Sequence, residues 1–200
     1  MRHRLAAPLV LVLVALALGA IGCRPSPANI TTVVGDSLTM TALLEGGFPP
    51  DWDIHSMLGW QAEDAQPGVT ARVNDPALSP ARAAIALGQN DAAKHTGGPG
   101  DGLTAVDVEQ LRTLRTTFDP ATVVLWVLPD YEGTDPAYRA GIEQYRAWAA
   151  SYAATLGDCI IDWRAHAEPG DIDPADGVHL THEGRLAYAD TIEQGIAACV

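Results

Sequence analysis

Ser37 stands at a position where a nucleophile could be activated. It follows a β-branched stretch at residues 30–34, and a helical pattern begins directly after it at Leu38. A hydroxyl at a strand-to-helix turn projects at the edge of a sheet, and the backbone N–H lies near the positive end of the helix dipole, where an oxyanion can be held. Serine needs an adjacent base, however, because it is a weak nucleophile alone. A plain helix cap, with Asp36 or Ser37 as the capping residue, is the alternative interpretation.

A base of the required kind occurs far along the chain, in the stretch Asp176-Gly177-Val178-His179. Histidine is the usual general base near neutral pH, and it needs a carboxylate that fixes its tautomer and stabilises the imidazolium. An aspartate three residues before a histidine, in a turn made tight by Gly177, can reach the ring nitrogen that faces away from a serine. A loop aspartate beside a half-buried histidine is the alternative here.

Two other segments could donate hydrogen bonds to an oxyanion. Asn90 follows a predicted strand and carries an amide with two donors. Gly59 follows a weaker predicted strand and offers an unobstructed backbone N–H. Both residue types are also common in ordinary turns, so each segment alone is a weak signal. The order of all these residues along the chain, from Ser37 through Gly59 and Asn90 to the Asp-His pair, is a more specific signal than any one segment.

Together these segments resemble the sequence blocks of the SGNH, or GDSL-like, hydrolase family. Residues 35–38 are similar to its first block, residues 88–91 to the G-x-N-D of its third, and residues 176–179 to the D-x-x-H of its fifth. Gly59 is placed in the second block by position. The resemblance covers about residues 30–198. It implies a flavodoxin-like three-layer α/β/α sandwich with a mainly parallel central sheet.

The resemblance also implies a role for each residue. Ser37 attacks an acyl carbonyl, His179 transfers the proton, and Asp176 orients His179. The oxyanion hole consists of the backbone N–H groups of Ser37 and Gly59 and the side chain of Asn90. No cofactor or metal is implied, and the zincin order H-E-x-x-H is absent from the sequence, although His179 is followed by a second histidine three residues later.

The apolar patterns predict the elements that position these residues. Short apolar or β-branched runs predict strands at residues 30–34, 53–57, 83–87, 122–128 and 159–163. Amphipathic runs predict helices at residues 38–45, 106–116, 136–156 and 181–198. Thr104 is a predicted N-cap, and four apolar residues are predicted to share one face of the last helix: Leu186, Ala189, Ile192 and Ile196. This alternation predicts an α/β protein in which a parallel sheet carries its reactive groups at the carboxyl ends of its strands.

The N-terminus has the layout of an export signal. Arg2 and Arg4 precede an apolar run at residues 5–21 that ends near small residues. This pattern predicts a signal peptide over residues 1–22. Residues 20–23 resemble a bacterial lipobox.

By that resemblance, Cys23 becomes the lipidated N-terminus. A tether at residues 23–28 and a hydrolase domain at residues 29–200 then follow. The protein is predicted to be exported and lipid-anchored at the outer face of the cytoplasmic membrane, with plain secretion or an uncleaved anchor as alternatives. Cys159 and Cys199 would remain as a pair in an oxidising compartment, either as a disulfide or as two free buried thiols.

The predicted function is hydrolysis of an acyl ester that is a small molecule or part of the cell envelope. The formal net charge of -13 argues against nucleic acid as a partner, because an acidic protein repels phosphates. Acyl transfer to another alcohol would use the same residues. A non-catalytic lipoprotein that binds envelope glycans is the third possibility, but a binding role does not need a serine matched with an Asp-His pair.

Overall fold

The computed structural model describes residues 30–93 and 102–199. These contain the strands β1 (Thr31–Gly35), β2 (Asp53–Ser56), β3 (Arg82–Ala86), β4 (Val123–Leu128) and β5 (Cys159–Asp162). They also contain the helices α1 (Ser37–Leu44), α2 (Ala62–Asn74), α3 (Gln89–Ala92), α4 (Ala105–Thr117), α5 (Pro136–Leu156), α6 (Trp163–His166) and α7 (His182–Ala198). In this part of the chain, no helix is long and apolar enough to cross a membrane. The predicted signal peptide, Cys23 and the tether lie outside the described residues.

All neighbouring strands are parallel, and their order in the sheet is β2-β1-β3-β4-β5. The register places Gly35, at the end of β1, opposite Ser56 of β2 and Ala86 of β3. The carboxyl ends of these three strands therefore lie side by side. Strand β2 lies on one side of β1, whereas β3, β4 and β5 follow on the other side. The strand order therefore reverses between β1 and β3, and ligands of parallel sheets bind at such a switch point.

Helices cover both faces of the sheet. Helices α2, α4 and α5 pack on one face, where Val34 and Leu111 are among the buried residues. Helices α1 and α7 pack on the other face, where Val33 and Ile192 are buried. Alternate residues of a strand point to opposite faces, which is why Val33 and Val34 belong to different layers. The predicted three-layer α/β/α sandwich is confirmed.

Local signals set the ends of several helices as predicted. Helix α5 has the predicted bounds, and Gly157 ends it in the left-handed conformation with φ 73°. Thr104 caps α4, since its side chain accepts a hydrogen bond from the Asp107 N–H. On the predicted apolar face of α7, Ala189, Ile192 and Ile196 are buried, whereas Leu186 is 41% exposed and Tyr188 is buried instead.

Helix α2 was not predicted, because its sequence contains two residues that usually interrupt helices. Pro67 lies inside it and lacks a backbone donor, and Gly68 follows directly. Tertiary packing explains the glycine, since a Cβ at this position would collide with the His55 ring. The buried residues of α2 are small, so the helix has little apolar periodicity for sequence analysis to detect.

Cys159 and Cys199 form a disulfide that joins the amino end of β5 to the residue after α7. The pair is 40 residues apart in sequence. We expect the double variant Cys159→Ser/Cys199→Ser to lose about 4 kcal/mol of unfolding free energy, because the crosslink restricts the unfolded chain. Urea unfolding of both proteins measures the difference. An unchanged unfolding midpoint would contradict this expectation, and the variant should keep full activity where it is folded.

Candidate active site

Ser37 is the first residue of α1, at the carboxyl end of β1. The cap of this helix is Asp36, whose Oδ1 accepts a hydrogen bond from the Leu38 N–H at 3.0 Å. Capping therefore does not account for the serine. Gly35 is required by close packing, since a Cβ there would collide with the Thr39 side chain. Ser37 is buried, with 7% of the residue exposed.

Asp176 and His179 form a hydrogen-bonded pair within one turn. Asp176 Oδ2 lies 2.7 Å from His179 Nδ1. The other carboxylate oxygen, Oδ1, accepts hydrogen bonds from the backbone N–H groups of Val178 at 2.8 Å and His179 at 2.9 Å. Partial burial opposes ionisation of Asp176, but these three hydrogen bonds outweigh it and lower the pKa of the carboxyl. An ionised carboxylate only accepts hydrogen bonds, so Nδ1 donates and Nε2 is left to face another group.

Gly177 allows this turn to pack closely against the loop after β4. Its φ is 69°, in the left-handed region that favours glycine. Any Cβ at this position would collide with the backbone of Gly133. The Glu132 N–H also donates a hydrogen bond to the Gly177 carbonyl at 2.9 Å. The Asp-His turn is therefore supported by a second loop and not only by its own hydrogen bonds.

Asn90 joins the loops that follow three neighbouring strands. Its Nδ2 donates a hydrogen bond to the Trp60 carbonyl at 3.0 Å and lies 3.5 Å from Asp36 Oδ2. The next residue, Asp91, accepts a hydrogen bond from the Ala62 N–H at 3.1 Å. As a result, the loop after β2, the turn after β1 and the start of α3 are held together.

Gly59 lies in the loop between β2 and α2, directly before the residue whose carbonyl binds Asn90. Its φ is 72°, and a Cβ there would meet nothing within 4 Å. The glycine is thus favoured by backbone conformation and not by crowding. Gly59 and Asn90, the two residues predicted to donate hydrogen bonds to an oxyanion, lie in adjacent loops.

The electrostatics of Asp36 connect the N-terminal and C-terminal parts of the site. Burial raises the pKa of this carboxyl to about 7. The Leu38 N–H opposes the rise, the charge of Asp91 adds to it, and the charge of the His179 ring opposes it. The His179 ring is therefore close enough to influence the carboxyl of the residue before Ser37.

Asp36 gives the stability of the protein a distinctive pH dependence. Its ordinary pKa is 3.8 and its pKa in the folded protein is about 7, so the folded state binds the proton more tightly between these values. That stabilisation is present at low pH and is lost as the pH rises through the folded value. Relative to Asp36→Asn, we expect the wild type to lose up to about 1.4 kcal/mol per pH unit in this window. Urea unfolding at several pH values measures this, and a wild-type advantage that grows with pH would contradict it.

The second histidine of the stretch has a structural partner. His182 Nδ1 lies 3.0 Å from Glu45 Oε2, and Glu45 Oε1 accepts a hydrogen bond from Arg185 at 2.7 Å. These contacts tie the start of α7 to the end of α1. Among residues 30–93 and 102–199, no group of three or more His, Cys, Asp or Glu side chains could hold a metal ion.

Two cavities differ in their relation to these residues. A groove of about 450 Å³ between α2 and α4 is lined by Glu63, Gln66, Val106, Glu109 and Thr113 among others, and contains none of the candidate residues. A small void beneath the β1–α1 turn is lined by Asp36, Leu38, Gln89 and Tyr188 among others, and has no room for a water molecule.

Sequence reasoning missed two residues that border the site. Gln89 is buried beside Asn90, and its Nε2 donates a hydrogen bond to the Tyr138 hydroxyl at 3.1 Å. Sequence analysis gave Tyr138 no role in the site. The usable signal was its place in the first turn of a helix that begins at the carboxyl edge of the sheet.

Comparison of the sequence with protein-family models and with curated proteins gives no significant match. Solved structures, in contrast, are similar over most of the chain. A GDSL-like lipase from Bacteroides thetaiotaomicron superposes with a TM-score of 0.70 at 16% identity, covering 94% of this chain and 98% of the lipase. The chain has the fold of the GDSL-like hydrolases.

Two other structures with the GDSL-like fold extend the comparison. The C-terminal catalytic domain of peptidoglycan O-acetyltransferase A from Streptococcus pneumoniae has a TM-score of 0.67 at 20% identity, covering 84% of this chain and 93% of that domain. An acetyl xylan esterase from Geobacillus stearothermophilus has a TM-score of 0.60 at 19% identity, covering 84% of this chain and 94% of that enzyme. At such identities the likeness establishes the GDSL-like fold, and the chemistry has to be argued from the site.

Proposed function

We propose that this protein is a serine esterase that hydrolyses acyl esters, with Ser37 as the nucleophile and His179 as its base. The observation that carries the proposal is the Asp176–His179 hydrogen bond of 2.7 Å, in a turn whose histidine charge acts on Asp36, the residue before Ser37. The pairing of an ionised carboxylate with His179 Nδ1 suits a base whose Nε2 accepts a proton, and Ser37 does not supply the cap of its helix. The GDSL-like fold of the chain is consistent with this chemistry.

The reaction would proceed by acyl transfer in two steps. His179 Nε2 takes the proton as Ser37 Oγ attacks the acyl carbonyl, and Asp176 stabilises the imidazolium that forms. The negative oxygen of the tetrahedral intermediate is held by the N–H groups of Ser37 and Gly59 and by the Asn90 amide. The carbon–oxygen bond to the alcohol breaks, and His179 returns the proton to the leaving oxygen. Water then repeats the sequence on the acyl-serine, which releases the acid and regenerates Ser37.

The Asn90 amide must change partners to serve in this oxyanion hole. In the structure its Nδ2 points to the Trp60 carbonyl at 3.0 Å and to Asp36 at 3.5 Å. The contact with Asp36 is the longer and weaker of the two. A modest rotation of the amide would exchange this contact for a hydrogen bond to the oxyanion, while the contact with Trp60 keeps the side chain in place.

The exposure of the base suits a substrate that is small or is displayed on a surface. The side chains of His179 and Asp176 are 51% and 45% exposed. An open base is accessible both to water and to a second alcohol, so acyl transfer remains a candidate for the same residues. The similarity in fold to an O-acetyltransferase domain and to an acetyl xylan esterase favours acetyl esters of glycans as the first substrates to test.

A site outside the cytoplasm is proposed on two grounds. The Cys159–Cys199 disulfide is typical of proteins that fold in an oxidising compartment. The basic and apolar N-terminus, ending at Cys23, is typical of a lipoprotein signal. Fractionation of cells that produce the full chain or its Cys23→Ala variant tests the lipid anchor, and an unchanged distribution between membrane and soluble fractions would count against it.

Covalent labelling tests the nucleophile directly. A fluorophosphonate reacts with an activated serine, so we expect it to label the wild type at Ser37. Labelling should be lost in Ser37→Ala and strongly slowed in His179→Ala, because the base is then missing. The exposed Ser151→Ala on α5 is a matched control that should label like the wild type. Failure to label Ser37 in a folded protein would overturn the proposal.

A further inference from the structure

Tyr138 is fixed next to the loop that carries Asn90. Its hydroxyl accepts a hydrogen bond from Gln89 Nε2 at 3.1 Å, and Gln89 directly precedes Asn90. The helix that carries Tyr138 is packed tightly on this loop, since a Cβ on Gly88 would collide with the ring of Tyr145. The φ of Gly88 is 104°, a backbone conformation that also favours glycine. The position of the phenol relative to the oxyanion donor is therefore well defined.

The other side of Tyr138 rests on the loop that supports the Asp-His turn. Its ring lies 4.5 Å from the ring of Tyr131, measured between centroids. The Tyr131 hydroxyl accepts a hydrogen bond from the Asp135 N–H at 2.9 Å, and Asp135 caps the helix that begins with Pro136. This is the loop that packs against Gly177. Tyr138 thus lies between the loop of Asn90 and the loop that packs against the Asp-His turn.

The charges around the phenol agree with this placement. Burial raises the pKa of Tyr138 to about 12, and the hydrogen bond from Gln89 opposes the rise. The charges of Asp36 and Asp176 add to it. Asp36 adjoins Ser37 and Asp176 binds His179, so charges beside both the nucleophile and the base act on the phenol.

We infer that Tyr138 is a specificity-determining residue that contacts the acyl group of the substrate and limits its length. The inference rests on the proposed esterase function. In the tetrahedral intermediate, the oxyanion points toward Asn90 and the leaving oxygen toward His179, so the acyl group takes the remaining direction. We place the Tyr138 phenol on this side, because it is fixed between Gln89, which precedes Asn90, and Tyr131, in the loop that packs against Gly177. In this arrangement a short acyl group would fit against the Tyr138 ring, and each further methylene would meet it.

The acyl preference of Tyr138 variants tests this inference. We expect Tyr138→Ala to raise the ratio of kcat/KM for p-nitrophenyl hexanoate to that for p-nitrophenyl acetate by about 10-fold or more, the range that pocket contacts with a few methylenes give. Tyr138→Phe keeps the ring and should leave the ratio within about 3-fold of the wild type. Tyr152→Ala is the matched control, because this tyrosine lies on the same helix about 21 Å farther along the axis.

Each other outcome overturns the inference. An unchanged ratio in Tyr138→Ala would mean that the ring does not limit the acyl group. An equal change in Tyr152→Ala would mean that general loosening of α5 is responsible. A change in preference among acetate esters of different alcohols, without a change in acyl preference, would place Tyr138 on the leaving-group side. If the wild type shows no turnover that depends on Ser37, the proposed function fails and this inference fails with it, whereas Ser37-dependent turnover with an unaltered ratio removes the inference alone.

Discussion

Ser37→Ala is expected to lower kcat for p-nitrophenyl acetate by at least about 10⁴-fold, the loss typical of a missing nucleophile in a Ser-His-Asp hydrolase. The helix should not suffer, because Asp36 and not Ser37 supplies its side-chain cap. Turnover and the thermal midpoint, measured on the same preparation, separate loss of chemistry from loss of fold. A variant that keeps more than a tenth of the activity would contradict the assignment.

His179→Ala is expected to cost about as much as Ser37→Ala, and the double variant little more than either. Substitutions of residues that act together lower kcat non-additively, since a base has no effect without the nucleophile and the nucleophile is not activated without the base. Independent contributions would instead multiply. A double variant whose loss equals the product of the two single losses would show that His179 does not serve Ser37.

Asp176→Asn is expected to lower kcat by about 10³–10⁴-fold with little change in KM. Asp176 Oδ1 accepts hydrogen bonds from two backbone N–H groups. The oxygen of the new amide should therefore take the Oδ1 position, which leaves its NH₂ facing His179 Nδ1. A donor at that place favours the tautomer that carries the proton on Nε2. Such a ring cannot accept the proton of Ser37.

Asp173→Asn is the matched control for this experiment. Asp173 lies in the same loop, and its side chain also accepts a backbone hydrogen bond, from the Ala175 N–H at 2.9 Å. Its N–H donates a hydrogen bond to the His179 carbonyl at 2.7 Å, a backbone contact that Asp173→Asn keeps, so the kcat of this variant should stay near that of the wild type. Less than a tenfold loss in Asp176→Asn, or equal losses in the two variants, would contradict the role of Asp176.

The parts of the site that could be predicted from sequence are those that depend on near neighbours in the chain. The Asp176–His179 pair needs only a short turn, and the strand-to-helix turn at Ser37 is visible as a change of apolar period. Helix α5 has a strong pattern and two clear ends, at Pro136 and Gly157, so its bounds were correct.

The rest depends on contacts between distant segments, which composition and period do not encode. Helix α2 forms although Pro67 lies inside it, because its small residues pack on the sheet and Asp91 holds its first turn. Gln89 and Tyr138 are 49 residues apart, and no local signal pairs them. The short helix α6 begins at Trp163, which was predicted as the end of a strand.

The location of Asp176 and His179 in one four-residue turn changes how many independent alignments the catalytic machinery requires. Two of its three groups move as a single rigid body, so folding has to solve one relative orientation, between that body and the nucleophile. Such a body could in principle be transplanted as a short peptide cassette onto another scaffold with a correctly placed serine. The glycine that seats it against its neighbouring loop would have to travel with it, because a Cβ at that position collides with the loop's backbone.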